Sequence, residues 1–134
     1  MNRPITASLV PLNERAGFLP KYAGNDFLRY EMLTYALMEQ ACDQYGGGLW
    51  DFYKLSNGGF FMAPDIEEPV HLVWADNFFD GYLGKEAAGI GISLMVQSQM
   101  AFATNSERFA NAFHCLRKYA LDHKEAGPIF RFID

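Results

Sequence analysis

Residue types that carry most metal and nucleophile chemistry are scarce in this chain, which has two cysteines and three histidines. His71, His114 and His123 lack the three- or four-residue spacing that lets two ligands reach one ion, and neither Cys42 nor Cys115 belongs to a CxxC pair, so no zinc site is expected. His114 adjoins Cys115, but helical neighbours point about 100° apart. An inert, buried thiol is therefore expected at Cys115. No serine occupies a GxSxG elbow. Gly46-Gly47-Gly48 precedes a strand, whereas phosphate loops follow one, and Gly89-Ile90-Gly91 lacks the third glycine of a dinucleotide fingerprint. The longest mainly apolar run, Ala87 to Val96, is too short to span a bilayer, and the start, Met-Asn-Arg-Pro-Ile-Thr, lacks the apolar segment of a secretory leader. The expectation is a reduced cytoplasmic protein with no cofactor, no metal and no membrane partner.

Basic residues are missing from one long stretch. Between Lys54 and Lys85 there is no lysine or arginine, while Asp65, Glu67, Glu68, Asp76 and Asp80 lie there. The net charge is −5 and the pI about 5.1. That excludes a general nucleic-acid binder, which needs a basic face to displace counterions, and it is too mild for a whole-surface DNA mimic. The acidic stretch reads either as a solvated face or as a patch that steers a partner. Carboxylates beside Pro64 and Pro69 are expected to stay solvated and ionised, unlike the acid of a glycosidase pair, so an enzyme is not expected.

What is abundant is apolar. Half of the residues are hydrophobic and 16% aromatic, so 134 residues suffice for one domain, 1–134, with a real core. Prolines at 4, 11 and 20, with Gly17 and Gly24, leave room before residue 25 for only a short helix near Leu12 to Ala16. Asn25 or Asp26 then caps a helix whose stripe is Phe27, Tyr30, Leu33, Leu37, Ala41 and Tyr45, with Met38 and Cys42 beside it, stopped by the glycines from 46 onward. Leu49 to Leu55 is strand-like, and Asn57-Gly58 predicts a two-residue hairpin that sets Leu55 opposite Phe60 and Tyr53 opposite Met62. Neither face of this hairpin is polar, so the sheet is expected to be covered on both sides, the alternative being an aromatic face that awaits a partner. Trp50, Phe52, Phe60 and Phe61 could stack on bases, but Lys54 is the one basic residue among them, which favours core packing. Val70 to Trp74 is a third strand, and Tyr82-Leu83 a short fourth after turns at Asp76-Asn77 and Asp80-Gly81. A helix over Lys85 to Thr104 carries Ala88, Ile92, Met95, Gln99 and Phe102 on one side, with Gly89 and Gly91 allowing close packing. A last helix begins at Asn105 or Ser106 with Phe109, Phe113, Leu116 and Ala120 inward, ends at Gly127-Pro128, and leaves Ile129 to Ile133 as an apolar tail. The fold class is α+β, a small antiparallel sheet of the hairpin plus one or two further strands, packed with about three main helices.

The run Tyr45-Gly-Gly-Gly-Leu-Trp-Asp-Phe-Tyr-Lys-Leu-Ser-Asn-Gly-Gly-Phe-Phe-Met-Ala-Pro-Asp65 resembles the signature of the ArdB/KlcA antirestriction family. Phe18-Leu19-Pro20, Leu72-Val73, Ala87-Ala88-Gly89-Ile90, Ile129-Phe130 and Ile133-Asp134 are similar to the family at matching places, so the likeness spans nearly the whole chain. The resemblance implies a small cytoplasmic α+β protein carried by plasmids or other mobile elements. It implies protection of incoming DNA from type I restriction-modification enzymes, without strong DNA mimicry and without a catalytic residue to carry over. The expected partner is the type I restriction-modification complex or an associated host factor. Asp65, Glu67, Glu68, Asp76 and Asp80 are the candidate contact residues.

Overall fold

The computed structural model describes residues 3–134. Strand β1 (Ala7–Leu9) leads through a 3-10 turn into α1 (Arg15–Ala23) and α2 (Phe27–Ala41). The hairpin β2 (Trp50–Leu55) and β3 (Phe60–Pro64) follows, then the ribbon β4 (Val70–Trp74) and β5 (Phe79–Leu83). Helices α3 (Lys85–Thr104), α4 (Glu107–Leu121) and α5 (Ala126–Ile133) complete the chain. The strands form two antiparallel sheets, one ordered β1-β2-β3 and one made of β4 and β5. This is the expected α+β class, with α2, α3 and α4 as the main helices. The strand that joins the hairpin is β1, however, and not Val70–Trp74, which pairs with β5 alone.

The hairpin forms, with a register one residue away from the expected one. Tyr53 faces Phe61 and Phe52 faces Met62. The loop has three residues, because Leu55 N–H donates to the Gly59 carbonyl (2.8 Å) and Gly58 N–H to the Leu55 carbonyl (3.0 Å). Only Gly58 takes a positive φ, +92°, so this is a turn closed by a left-handed glycine and not the mirror-image turn that Asn57-Gly58 suggests. Asn57 fixes it by accepting from Gly59 N–H (3.1 Å) and donating to the Cys115 carbonyl (2.9 Å). A one-residue slip changes every cross-strand partner. In the observed register Tyr53 stacks on Phe61 at 4.7 Å, backed by Tyr119 of α4. On the opposite face Phe52 stacks on Phe18, and Phe60 meets Phe18, Tyr22 and Tyr30 of α1 and α2. Both faces are covered, as their apolar composition required.

Helix α3 covers the free edge of β3. Gly89, Ser93 and Gln97 stand four residues apart, hence on one helix face. Met62 N–H donates to Ser93 Oγ (3.1 Å), Ser93 Oγ donates to the Met62 carbonyl (3.2 Å), and Gln97 Nε2 donates to the Phe60 carbonyl (3.0 Å) and to Tyr30 Oη (3.1 Å). At Gly89 an added Cβ would stand 2.5 Å from Ala63 Cα and from the Met62 carbonyl oxygen. The helix is buried nearly all round over its first thirteen residues. The expected stripe is thus only partly right: Ala88 and Ile92 are buried, but Gln99 is exposed and Phe102 is 87% exposed, because the second half of α3 runs past the sheet.

Elsewhere the differences have local causes. Helix α1 runs through Pro20 to Ala23, and Arg108 of α4 donates to the terminal carbonyls of Lys21 and Tyr22. Helix α2 ends at Cys42, whose backbone is already extended, four residues before the glycines. Asp80-Gly81 lies inside β5 and is not a turn, since Gly81 leaves space that the Phe79 ring occupies, 2.9 Å from where a Cβ would sit. The tail after Gly127-Pro128 is helical, with Ile129 and Phe132 buried and Phe132 against the space left by Gly91.

Two glycine-to-alanine changes should have opposite signs. Gly89→Ala is expected to destabilise the fold by ~1–3 kcal/mol through overpacking against the β3 backbone. Gly17→Ala, which meets nothing within 4 Å in α1, is expected to stabilise it by roughly 0.5–1 kcal/mol through helix propensity. Urea unfolding of the two variants checks both, and a neutral Gly89→Ala would contradict the tight seam.

Candidate functional site

The five acidic residues of the basic-free stretch do not share one cleft. Asp65 and Glu68 sit at the start of α3. Asp65 Oδ1 is 3.3 Å from Lys85 Nζ, and Glu68 Oε2 accepts from Lys85 N–H at 2.7 Å. Glu67 is exposed on the same connection. Asp80 lies on β5 with Oδ1 2.6 Å from His71 Nε2, and Asp76 lies exposed in the turn between β4 and β5. Two of the five thus serve local structure: Glu68 completes a helix N-terminus whose free N–H groups favour carboxylates, and Asp65 pairs with the Lys85 side chain.

A second set of carboxylates, which sequence reasoning missed, gathers at that same helix start. Gly84 N–H donates to Glu125 Oε1 (3.0 Å), and Glu86 approaches His123 Nε2 (3.5 Å) and Tyr119 Oη (3.3 Å). Glu125 N–H donates to His123 Nδ1 (3.0 Å), which leaves the ring proton on Nε2, toward Glu86. Glu86 and Glu125 line a cleft of about 220 Å³ together with Asp51, Glu68, Lys85 and Lys124. The contact from His123 holds the Glu86 carboxyl below its usual range, against the opposing effect of its partial burial. Burial, with Glu86 beside it, pushes the Tyr119 phenol up to about 12. The direction at Glu86 is opposite to that of a general acid, which must hold its proton near neutral pH. Among the described residues no three His, Cys, Asp or Glu side chains are grouped to hold a metal ion. Cys115 Sγ donates to the Asn57 carbonyl (3.6 Å), while His114 is exposed and packs edge-on to Phe113, so the neighbours in sequence form no nucleophile pair.

The β4–β5 ribbon is the other distinct surface. Its inner side, with Val70, Leu72, Phe79 and Leu83, is buried, and Trp74 and Phe79 meet Phe132. The register places His71, Val73, Asp80 and Tyr82 on the outer side, where His71 stacks on Tyr82 at 4.7 Å. At the tip Phe78 adopts φ 54° and ψ 31°, a left-handed conformation uncommon for a bulky residue, and its side chain is 98% exposed. No helix among the described residues is long and apolar enough to cross a membrane.

Linkage gives the sign of a pH effect at Glu86. A carboxyl whose folded pKa lies below its unfolded one contributes fully above the unfolded value and loses that contribution as pH falls through the folded value. The urea midpoint of the wild type is therefore expected to fall more between pH ~7 and ~3 than that of Glu86→Gln. Equal falls would remove Glu86 from the acid response.

A family model described as antirestriction protein matches residues 43–134. An antirestriction protein KlcA of Escherichia coli is 40% identical over 138 residues, which cover 99% of this chain and 97% of that protein. The uncharacterized protein YafX of Escherichia coli strain K12 is 39% identical, covering 97% of this chain and 88% of its own. A solved structure from work on KlcA and ArdB superposes with a TM-score of 0.92 at 39% identity, over 100% of both chains; that work describes a novel fold and antirestriction activity against type I DNA restriction systems in vivo but not in vitro. With matches of this extent in both sequence and fold, the chain belongs to the antirestriction protein family.

Proposed function

We propose that this protein protects incoming mobile-element DNA from type I restriction-modification inside the cell, by contacting the restriction complex or a host factor and without catalysis. The observation that carries this reading is the full-length likeness, at a TM-score of 0.92, to a protein whose activity against type I systems is seen in vivo but not in vitro. An activity that disappears in vitro fits a route needing something the cell supplies, and it fits poorly with stoichiometric mimicry of DNA. The mild net charge of −5 points the same way. For the contact surface we retain the acidic stretch, with Glu67 and Asp76 as its functional members, since Asp65, Glu68 and Asp80 are engaged within the fold.

Unmodified phage plated on a restricting host is expected to recover when the protein is expressed, and to plate unchanged on a non-restricting host. Equal restriction with and without the protein would sink the reading. Purified protein titrated against a type I enzyme is expected to leave cleavage unaffected, and salt-sensitive stoichiometric inhibition would instead establish mimicry. Glu67→Ala with Asp76→Ala should weaken protection without lowering the thermal midpoint, whereas Glu68→Ala should lower the midpoint.

A further inference from the structure

The ribbon tip is built as a fixed projection. Phe78 N–H donates to the Ala75 carbonyl (3.0 Å), and Asn77 Nδ2 donates to the Phe132 carbonyl (2.6 Å), so the turn is tied to α5. The residue just beyond that tie takes the left-handed conformation that glycine or asparagine fills most easily, yet it is a phenylalanine with its ring in water. Val73 and Tyr82, 39% and 63% exposed, lie on the outer face of the same ribbon, and Tyr82 shares a groove with Phe78. This groove of about 430 Å³ lies alongside, between the ribbon and α5. Its charged neighbours are Asp76 in the turn and Asp80 and Asp134 in the groove, against Arg131 from α5, and His71 is engaged with Asp80. The surroundings of the ring are therefore net negative.

We propose that Phe78 is the anchor of the partner contact, inserting into an apolar socket on a protein whose rim carries lysine or arginine. This rests on the functional reading above and adds to it the chemistry of the partner. A buried aromatic at the centre of a contact and a polar rim around it is how protein interfaces concentrate their affinity. Acidic surroundings oppose an anionic lipid surface or a phosphate backbone, and they match a basic rim. A turn whose backbone is already tied to α5 loses little freedom on binding, which favours insertion of the side chain that it carries.

The test uses the full chain in the phage-plating assay. Phe78→Gly and Phe78→Asn both tolerate the left-handed backbone and remove the ring, so their thermal midpoints are expected to equal or exceed that of the wild type. Protection is expected to fall by about 10-fold or more in both and to persist in Phe78→Tyr, while Asp76→Lys lowers it through the rim. A protecting wild type matched by folded Phe78→Gly and Phe78→Asn overturns this inference and leaves the functional reading standing. A wild type that gives no protection overturns both. Concentration-dependent self-association that the Phe78 variants abolish makes the occupant a second copy of the chain and overturns the basic-rimmed partner.

Discussion

The rest of the architecture depends on how a helix satisfies the edge of a sheet. A strand edge presents unpaired N–H and C=O groups that must be matched or left in water. Here β3 is buried at every position, so water cannot do it, and α3 supplies side-chain partners instead. Serine and glutamine do this at the heart of the core because Gly89 lets the helix axis come close enough for short side chains to reach. Tyr30 joins through its hydroxyl, and its burial holds that phenol well above the usual range, so it remains neutral where a charge would be costly. One lone pair set, on Gln97 Oε1, is left without a partner among the described residues. With α3 on the edge, α1 and α2 cover one face of the sheet and α4 the other, and α5 lies against α3 at Gly91.

Such a frame separates the side chains that hold it from those that it leaves free. The carboxylates at the start of α3 face inward to backbone N–H groups and to His123, where they act on the fold. The ribbon is joined to the frame by its apolar inner side and by Asn77, and its other side remains free. Its contact between His71 and Asp80 is open to solvent on the Asp80 side and so adds little to stability. The same acidic stretch therefore divides into residues that hold a helix and residues left in solvent, a division set by position relative to α3 and not by composition.

Much of this was legible from residue order, and the failures follow from physical causes. The bounds of α3 and of Val70–Trp74, and the cap of α4 at Ser106, one of the two residues expected there, match what periodicity and capping imply. The family likeness rested on Tyr45 to Asp65, where many uncommon residues agree in order. Strand β1 was missed because Ala7-Ser8-Leu9 is short and largely exposed, and owes its form to β2. The hairpin register was missed because Asn57-Gly58 satisfies two turn chemistries, and the choice is made by the distant Cys115 carbonyl. The seam was missed because serine and glutamine in a helix read as solvent-facing. The signal was the four-residue recurrence Gly89, Ser93, Gln97, which becomes meaningful only once a buried strand edge needs partners. Phe78 was passed over because an isolated aromatic in a turn is indistinguishable, in sequence, from core.

The seam also sets a schedule for the growing chain. Phe60 and Gln97 are 37 residues apart, so a ribosome adding about 5–20 residues per second presents the hairpin for roughly 2–7 s before the helix that closes its edge has been made. During that interval an apolar hairpin with one bare edge stands at the ribosome, shielded on one face only by the earlier helices. Nascent-chain chaperones would find their substrate here, and the yield of soluble protein would turn on how quickly translation traverses the residues from Asp65 to Gln97.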